Sequence, residues 1–220
     1  MTSASGARHA GRTAHAAAQR QELIQIAYHL IAEKGFEGLR TRAVAQRAGI
    51  NIATLHYYFA TKEDLIRGVV EHMHDLFANL HTPAAGHPHR FFDEHPTTRP
   101  LYDQPLAEFR YDLADLRYKW QSEPDLYIVL VEFVVRSLRD PAIRCILRDL
   151  EEHWQAYIAS YLAKGVADGV FRPDLDVPVA ATTLRLFIKG CILEIMTRDE
   201  QFPAERVYAE IERWLTQHAG

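Results

Sequence analysis

The segment from Leu39 to Lys62 reads LRTRAVAQRAGINIATLHYYFATK, and it concentrates the residues whose types and spacing could do chemistry. That chemistry is recognition rather than catalysis. On a short helix, Thr54, His56 and Tyr57 can be exposed while Leu55, Tyr58 and Phe59 hold the helix to a core. A hydroxyl, an imidazole and a phenol presented together can hydrogen-bond base edges and phosphate oxygens. A tyrosine suits the task because its ring packs on its own domain while its hydroxyl reaches a backbone phosphate. Catalytic patterns are missing from the sequence: no G-x-S-x-G, no Walker A glycine loop, no H-E-x-x-H and no Cys-x-x-Cys. The chain is therefore not expected to be an enzyme. Nor is a metal or other cofactor expected. His72 and His74 lie two apart on a helix and face different ways, and histidines 87, 89 and 95 lack ligand spacing beyond nearby Asp93 and Glu94.

The elements that must position this segment follow from local rules. Leu23, Ile26, Ala27, Leu30 and Ile31 recur at the spacing of one helical face, which predicts a helix from about Gln19 to Lys34, stopped by Gly35. Thr41 is expected to cap a short helix, Arg42 to Ala48, with Val44, Ala45 and Ala48 facing inward. Gly49 supplies a tight turn, and Asn51 caps the next short helix, Ile52 to about Tyr58. Thr61 opens a fourth helix with Asp64 as a capping-box-like partner, and that helix carries Leu65, Ile66, Val69, Val70, Met73 and Phe77. Two short helices meeting at a glycine turn, behind a longer amphipathic one, have helix-turn-helix anatomy. In that anatomy the first short helix braces and the second enters the DNA major groove.

Outside this region the patterning is coarser. Residues 1–18 show no apolar periodicity and are expected to form a disordered arm, whose Arg8 and Arg12 could reach phosphate or a minor groove. Five prolines interrupt residues 81–105, which predicts a long loop. Helical patterning resumes, with helices expected at about 106–121, 125–139, 141–169, 177–197 and 203–217 and no strand pattern of useful length. The fold class is all-α. The domains expected are the arm (1–18), a three-helix DNA-binding head (19–62) and a larger helical body (63–220).

Net charge is −4, which looks wrong for a DNA binder until its distribution is read. Residues 1–62 hold eight Lys or Arg against three acids, and the remainder holds 17 bases against 26 acids. A basic head (+5) on an acidic body (−9) suits a protein whose head alone meets phosphate. Cys145 and Cys191 lie far apart and are read as reduced, buried core residues. The N-terminus has no apolar signal region and no stretch is long enough to span a bilayer, so a cytoplasmic protein without a membrane partner is expected.

The sequence resembles the TetR/AcrR family of transcriptional regulators. The resemblance rests on Ala32-Glu33-Lys34-Gly35-Phe36-Glu37-Gly38, Thr41-Arg42-Ala43-Val44-Ala45, Ala48-Gly49-Ile50, Thr54-Leu55-His56-Tyr57-Tyr58-Phe59 and Lys62-Glu63-Asp64-Leu65. A weaker echo lies at Gly169-Val170-Phe171-Arg172-Pro173-Asp174. By position, the resemblance implies that Thr41 and Arg42 contact phosphate and that Ile52, Ala53, Thr54 and His56 face base edges. It further implies that Tyr57 and Lys62 grip the backbone. His56 stands where the family often has tyrosine, and Ile52 where a polar residue is common.

The resemblance also implies an effector cavity in the body. Phe109, Tyr118, Trp120, Tyr127, Phe133, Trp154, Tyr157 and Phe187 are candidates to line it, as against ordinary core, with Arg136, Arg110 and His153 as polar candidates. The helix at 177–197 carries a wider apolar set than one core stripe requires. Two such helices from each subunit are implied to pack as a four-helix bundle, with Tyr161, Leu184, Ile188 and Ile192 at the homodimer interface. The function implied is a ligand-responsive, sequence-specific DNA-binding repressor, released from a palindromic operator in double-stranded DNA by a small-molecule effector. The alternatives are a helical enzyme or ligand carrier with a vestigial helix-turn-helix, and a purely structural module. Specific, salt-sensitive binding to a palindromic duplex separates the first from both.

Overall fold

The computed structural model describes residues 3–78 and 105–217, and every regular element among the described residues is helical. The elements are α1 (Ser3–Gly38), α2 (Thr41–Arg47), α3 (Ile52–Tyr58), α4 (Lys62–Ala78), α5 (Pro105–Ser122), α6 (Pro124–Ser137), α7 (Pro141–Ala167) and α8 (Val177–Arg198). A short 3-10 turn (Asp199–Gln201) and α9 (Ala204–Thr216) follow. Prolines open α5, α6 and α7, where a missing N–H costs nothing. Asp140 Oδ1 accepts the Ala142 amide at 3.1 Å and Asp176 Oδ1 the Val179 amide at 3.1 Å, so α7 and α8 each start on an aspartate cap. None of the described helices is long and apolar enough to cross a membrane.

The chain divides into two compact units, Met1–Asp75 with Ile128–Leu147, and Leu76–Tyr127 with Arg148–Gly220. In the first, α1 to α4 surround a core of Leu23, Ile24, Ile31, Val44, Leu55, Phe59, Leu65 and Val69, all almost fully buried. Alpha-helices α1 and α4 approach closely because Gly68 has no side chain; a Cβ there would stand 2.8 Å from Ile24 Cδ1. In the second unit, α5 packs against α8. Its core holds Phe109, Leu113, Tyr127, Ile158, Leu162, Phe171, Leu184, Ile192 and Leu215. Two α8 cations clamp α7: Arg185 bonds Glu151 at 2.7 Å, and Lys189 pairs with the same carboxylate. After α7, Phe171 folds over Gly165, where any Cβ would run into its ring.

Several expectations require correction. The helical run of α1 begins at Ser3, within the stretch expected to form a disordered arm. Seven alanines between Ser3 and Ala18 supply the helix propensity that apolar periodicity does not register. Gly35 leaves helical geometry at φ +64, so the regular part of α1 ends where the sequence predicts. Thr41 is the first residue of α2 rather than its cap, which falls on Arg40 with no side-chain bond. Cys145 is exposed and only Cys191 is buried, its thiol pushed up to about 12, first by desolvation. The expected loop at 81–105 lies, apart from Pro105, outside the described residues.

Candidate nucleic-acid interface

The helix α3 is held between the Gly49 turn, the Asn51 cap and the Thr61–Asp64 pair that the sequence predicts. The Ala45 carbonyl accepts the Ile50 amide at 3.0 Å, and Gly49, at φ +66, makes the turn between α2 and α3. Asn51 Oδ1 accepts the Thr54 amide at 2.8 Å and the Thr54 hydroxyl at 3.0 Å. Thr61 and Asp64 cap α4 reciprocally, each backbone amide donating to the other side chain at 3.0 Å. Lys62 therefore sits on the first turn of α4 beside amides that have no helical acceptor.

The helix α3 is two-faced. Leu55 and Phe59 are fully buried and anchor it, while Ile52, Ala53, His56 and Tyr57 are exposed and Thr54 is half-buried. Tyr57 is 79% exposed, an unusual position for a large aromatic, and its ring stands edge-on to Tyr58 at 5.1 Å. Tyr58 is half-buried and supports Tyr57 rather than filling the core. The Thr54 hydroxyl spends its proton on Asn51, so toward a base it can only accept or offer its methyl group. Thr41 is half-buried and Arg42 exposed on the adjoining end of α2.

Other basic residues of the first unit are committed to the fold. Arg47 bonds Glu33 through both terminal nitrogens at 2.7 Å, and this bond holds the Glu33 carboxyl below its ordinary range. The Arg20 guanidinium lies 5.1 Å from the Phe59 ring centre and 3.7 Å from Glu71. Neither arginine was singled out from the sequence, because the partners lie on other helices.

The first unit also contains part of α6. The Phe36 amide donates to Glu132, the Phe36 and Phe133 rings meet edge to face at 4.9 Å, and Arg136 bridges Glu37 and Asp140. Phe133 and Arg136 thus brace the end of α1. The other candidates belong to the second unit. Phe109 and Tyr127 are buried; Tyr118, Trp120, Trp154, Tyr157 and Phe187 are half-buried. Trp120 stacks on Tyr127 at 6.4 Å, Tyr157 meets Tyr161 at 5.6 Å, and Phe187 meets Tyr208 at 6.4 Å. Arg110 is bound to Glu212 at 2.8 Å, and the His153 ring lies 2.6 Å from the Asp149 carbonyl.

The predicted dimer residues need a correction. Tyr161, Leu184, Ile188 and Ile192 are all at most 5% exposed within a single chain, so they pack its core. The outer face of α8 carries instead Val179, Leu186 and Leu193, which are 58%, 58% and 51% exposed. Their spacing of seven was the signal available in the sequence.

With this geometry in place, two sequence-family models match the chain: the bacterial regulatory proteins, tetR family, over residues 23–69, and the BetI-type transcriptional repressor C-terminal domain over residues 119–220. Together they span more than half of it. The HTH-type transcriptional repressor KstR2 of Rhodococcus jostii is 27% identical over 168 residues, covering 76% of this chain and 74% of the relative. KstR2 of Mycolicibacterium smegmatis is 27% identical over 171 residues, covering 77% and 75%. A TetR transcription regulator from Haloarcula marismortui superposes with a TM-score of 0.68 at 22% identity, over 90% of this chain and 97% of that one. The chain belongs to the TetR family and is a ligand-responsive, DNA-binding transcriptional repressor.

Proposed function

We propose that the chain acts as a homodimer on a palindromic operator, reading base edges with Ile52, Ala53, Thr54 and His56. Thr41, Arg42, Tyr57 and Lys62 hold phosphate. The observation that carries this reading is the exposure of Tyr57, 79%, on a helix whose Leu55 and Phe59 are fully buried. Tyr57 shares that exposed face with Ile52, Ala53 and His56, so the helix presents a contiguous row of side chains as a groove-reading helix must. The isoleucine favours thymine methyl groups, and a histidine ring can donate or accept, so the half-site is expected to contain a thymine step.

The α8 stripe of Val179, Leu186 and Leu193 supports a homodimer. Residues seven apart stay on one helix face, and a second copy is the simplest cover for an exposed apolar seam. Twofold symmetry then presents two α3 helices to successive major grooves. The body, residues 63–220, takes the effector. The effector binds better to a form whose heads do not match the operator, so it lowers DNA affinity by that difference, and DNA lowers effector affinity equally. The same reading sets the protein in the cytoplasm, beside its DNA.

A salt titration of duplex binding tests the interface. Affinity should fall steeply and log-linearly with salt, and Lys62→Ala should flatten the slope by about one unit. A slope unaltered by Lys62→Ala, Arg42→Ala and Tyr57→Phe together would place the phosphate contacts elsewhere.

A further inference from the structure

The readout chemistry of α3 turns on where one proton sits. The Thr54 backbone amide and the Thr54 hydroxyl both lie within hydrogen-bond distance of the same Asn51 side-chain atom, at 2.8 and 3.0 Å. A backbone N–H only donates, so that atom is the carboxamide oxygen and not its nitrogen. The hydroxyl that faces the same oxygen must then place its proton between the two oxygens. What Thr54 Oγ1 has left for a partner outside the chain is its lone pairs.

That assignment removes most of the partners a threonine on a DNA-reading helix could take. Phosphate oxygens only accept, so a hydroxyl whose proton is committed gains nothing from the backbone. In the major groove guanine N7 and O6, adenine N7 and thymine O4 only accept as well. The donors displayed there are two, the N6 amino group of adenine and the N4 amino group of cytosine.

The neighbours of Thr54 choose between the two. Ile52 and Ala53, both exposed, precede it and are apolar, and Thr54 adds its own methyl group. An A·T pair sets the thymine methyl beside the adenine amino group in the groove. A C·G pair sets guanine O6 there instead, an acceptor that apolar side chains desolvate without pairing. Residues 52–58 contain no Arg, Lys, Asn or Gln, the side chains that read guanine or adenine through two bonds at once. A single acceptor on Thr54 therefore carries a large share of the polar discrimination that α3 can make.

We propose that Thr54, its own proton held by Asn51, accepts from the N6 amino group of one adenine in each half-site and so sets the base at that position. The proposal rests on reading α3 as the element that meets DNA, and names the base chemistry that it takes. In a duplex one N–H of that amino group pairs with thymine and the other faces the groove. Methylation at N6 replaces the groove-facing hydrogen, so an operator methylated on this adenine should bind more weakly.

The test starts with selection of sites from a random duplex library by the full chain and continues on the enriched duplex. Each adenine of the half-site, with its symmetry mate, is replaced in turn by N6-methyladenine or by purine, which lacks the amino group. Each cytosine is replaced likewise by N4-methylcytosine. Isotherms at fixed salt are measured for the parent, for Thr54→Val, which keeps the shape but not the acceptor, and for Thr54→Ser, which keeps the acceptor. Circular dichroism checks that all three are folded. In the parent one adenine position should stand out, its replacement lowering affinity about fivefold per half-site. Thr54→Val should lose a similar factor on the natural duplex and all sensitivity at that position alone, and Thr54→Ser should retain the sensitivity.

The proposal is overturned if no adenine replacement is felt more by the parent than by Thr54→Val, or if the sensitive amino group belongs to cytosine. It is also overturned if Thr54→Val weakens every duplex alike, as loss of a phosphate contact would. An enriched inverted repeat without a Thr54-dependent adenine overturns only the role given to Thr54 and leaves the regulator standing. Enrichment of no sequence by the parent overturns the reading of DNA by α3, and this proposal with it.

Discussion

The backbone amide of Phe36 donates to the Glu132 carboxylate at 3.2 Å, across 96 residues of sequence. The bond closes the turn at which α1 stops. Gly35, at φ +64, exposes the amide, and a Cβ on Gly35 would stand 3.0 Å from Glu132 Oε2. Glu132→Ala should leave that amide unsatisfied and cost about 1–3 kcal/mol, while Glu132→Gln should retain most of the stability. Gly35→Ala should cost about 1–2 kcal/mol from the left-handed backbone alone. Denaturant titration of the three variants checks the ordering; equal stability of Glu132→Ala and the parent would contradict it.

Different substitutions on and around α3 should have different signatures. Tyr57→Phe and Lys62→Ala should weaken all duplexes to a similar extent, by about 1–1.5 kcal/mol each. Thr54→Ala and His56→Ala should alter which sequences are preferred. Asn51→Ala should act through folding instead, removing the cap that holds Thr54 and costing about 1 kcal/mol. Binding isotherms on matched and altered duplexes separate the three behaviours.

Association and folding should come apart along α8. Leu186→Asp and Leu193→Asp change residues more than half exposed, so each should yield a folded monomer. Ile188→Asp and Ile192→Asp put a charge at positions at most 5% exposed and should cost about 3–5 kcal/mol of stability. Sedimentation combined with circular dichroism tells the two outcomes apart. A parent protein that sediments as a folded monomer at micromolar concentration would remove the dimer and the argument for a palindrome.

Asp115, buried on α5, should make stability depend on pH in a defined direction. Desolvation lifts its pKa to about 7 in the fold against an ordinary 3.8, so the folded state holds the extra proton between those values. Stability contributed by the neutral form is fully present below about pH 4 and is lost as pH rises through about 7. Asp115→Asn should therefore stabilise more at pH 8 than at pH 5, with a limit of roughly 4 kcal/mol. The same gain at both pH values would show that Asp115 titrates normally.

The head was legible because its determinants are local. Asn51, Gly49, Thr61 and Asp64 act within four residues of where they stand, so spacing alone reveals the caps and turns around α3. The body helices were legible from proline stops and apolar periodicity. What escaped depends on pairs far apart in sequence. Nothing near Phe133 or Arg136 tells that their partners are Phe36 and Glu37, and both therefore read as effector contacts. For α8, a helix apolar over most of its circumference does not reveal which side the core takes. Ile188 and Ile192 went inward and Leu186 and Leu193 stayed out. At residues 3–18 an alanine-rich helix shows no apolar periodicity to detect.

Selection of binding sites from random duplex DNA at modest salt tests the central claim most directly. The account predicts enrichment of an inverted repeat, with half-site centres about one helical turn or a multiple apart. It further predicts that the enriched half-site changes in the Thr54→Ala and His56→Ala proteins. Enrichment of no sequence, or of one that these substitutions leave unaltered, would contradict the assignment of α3 as the element that reads DNA.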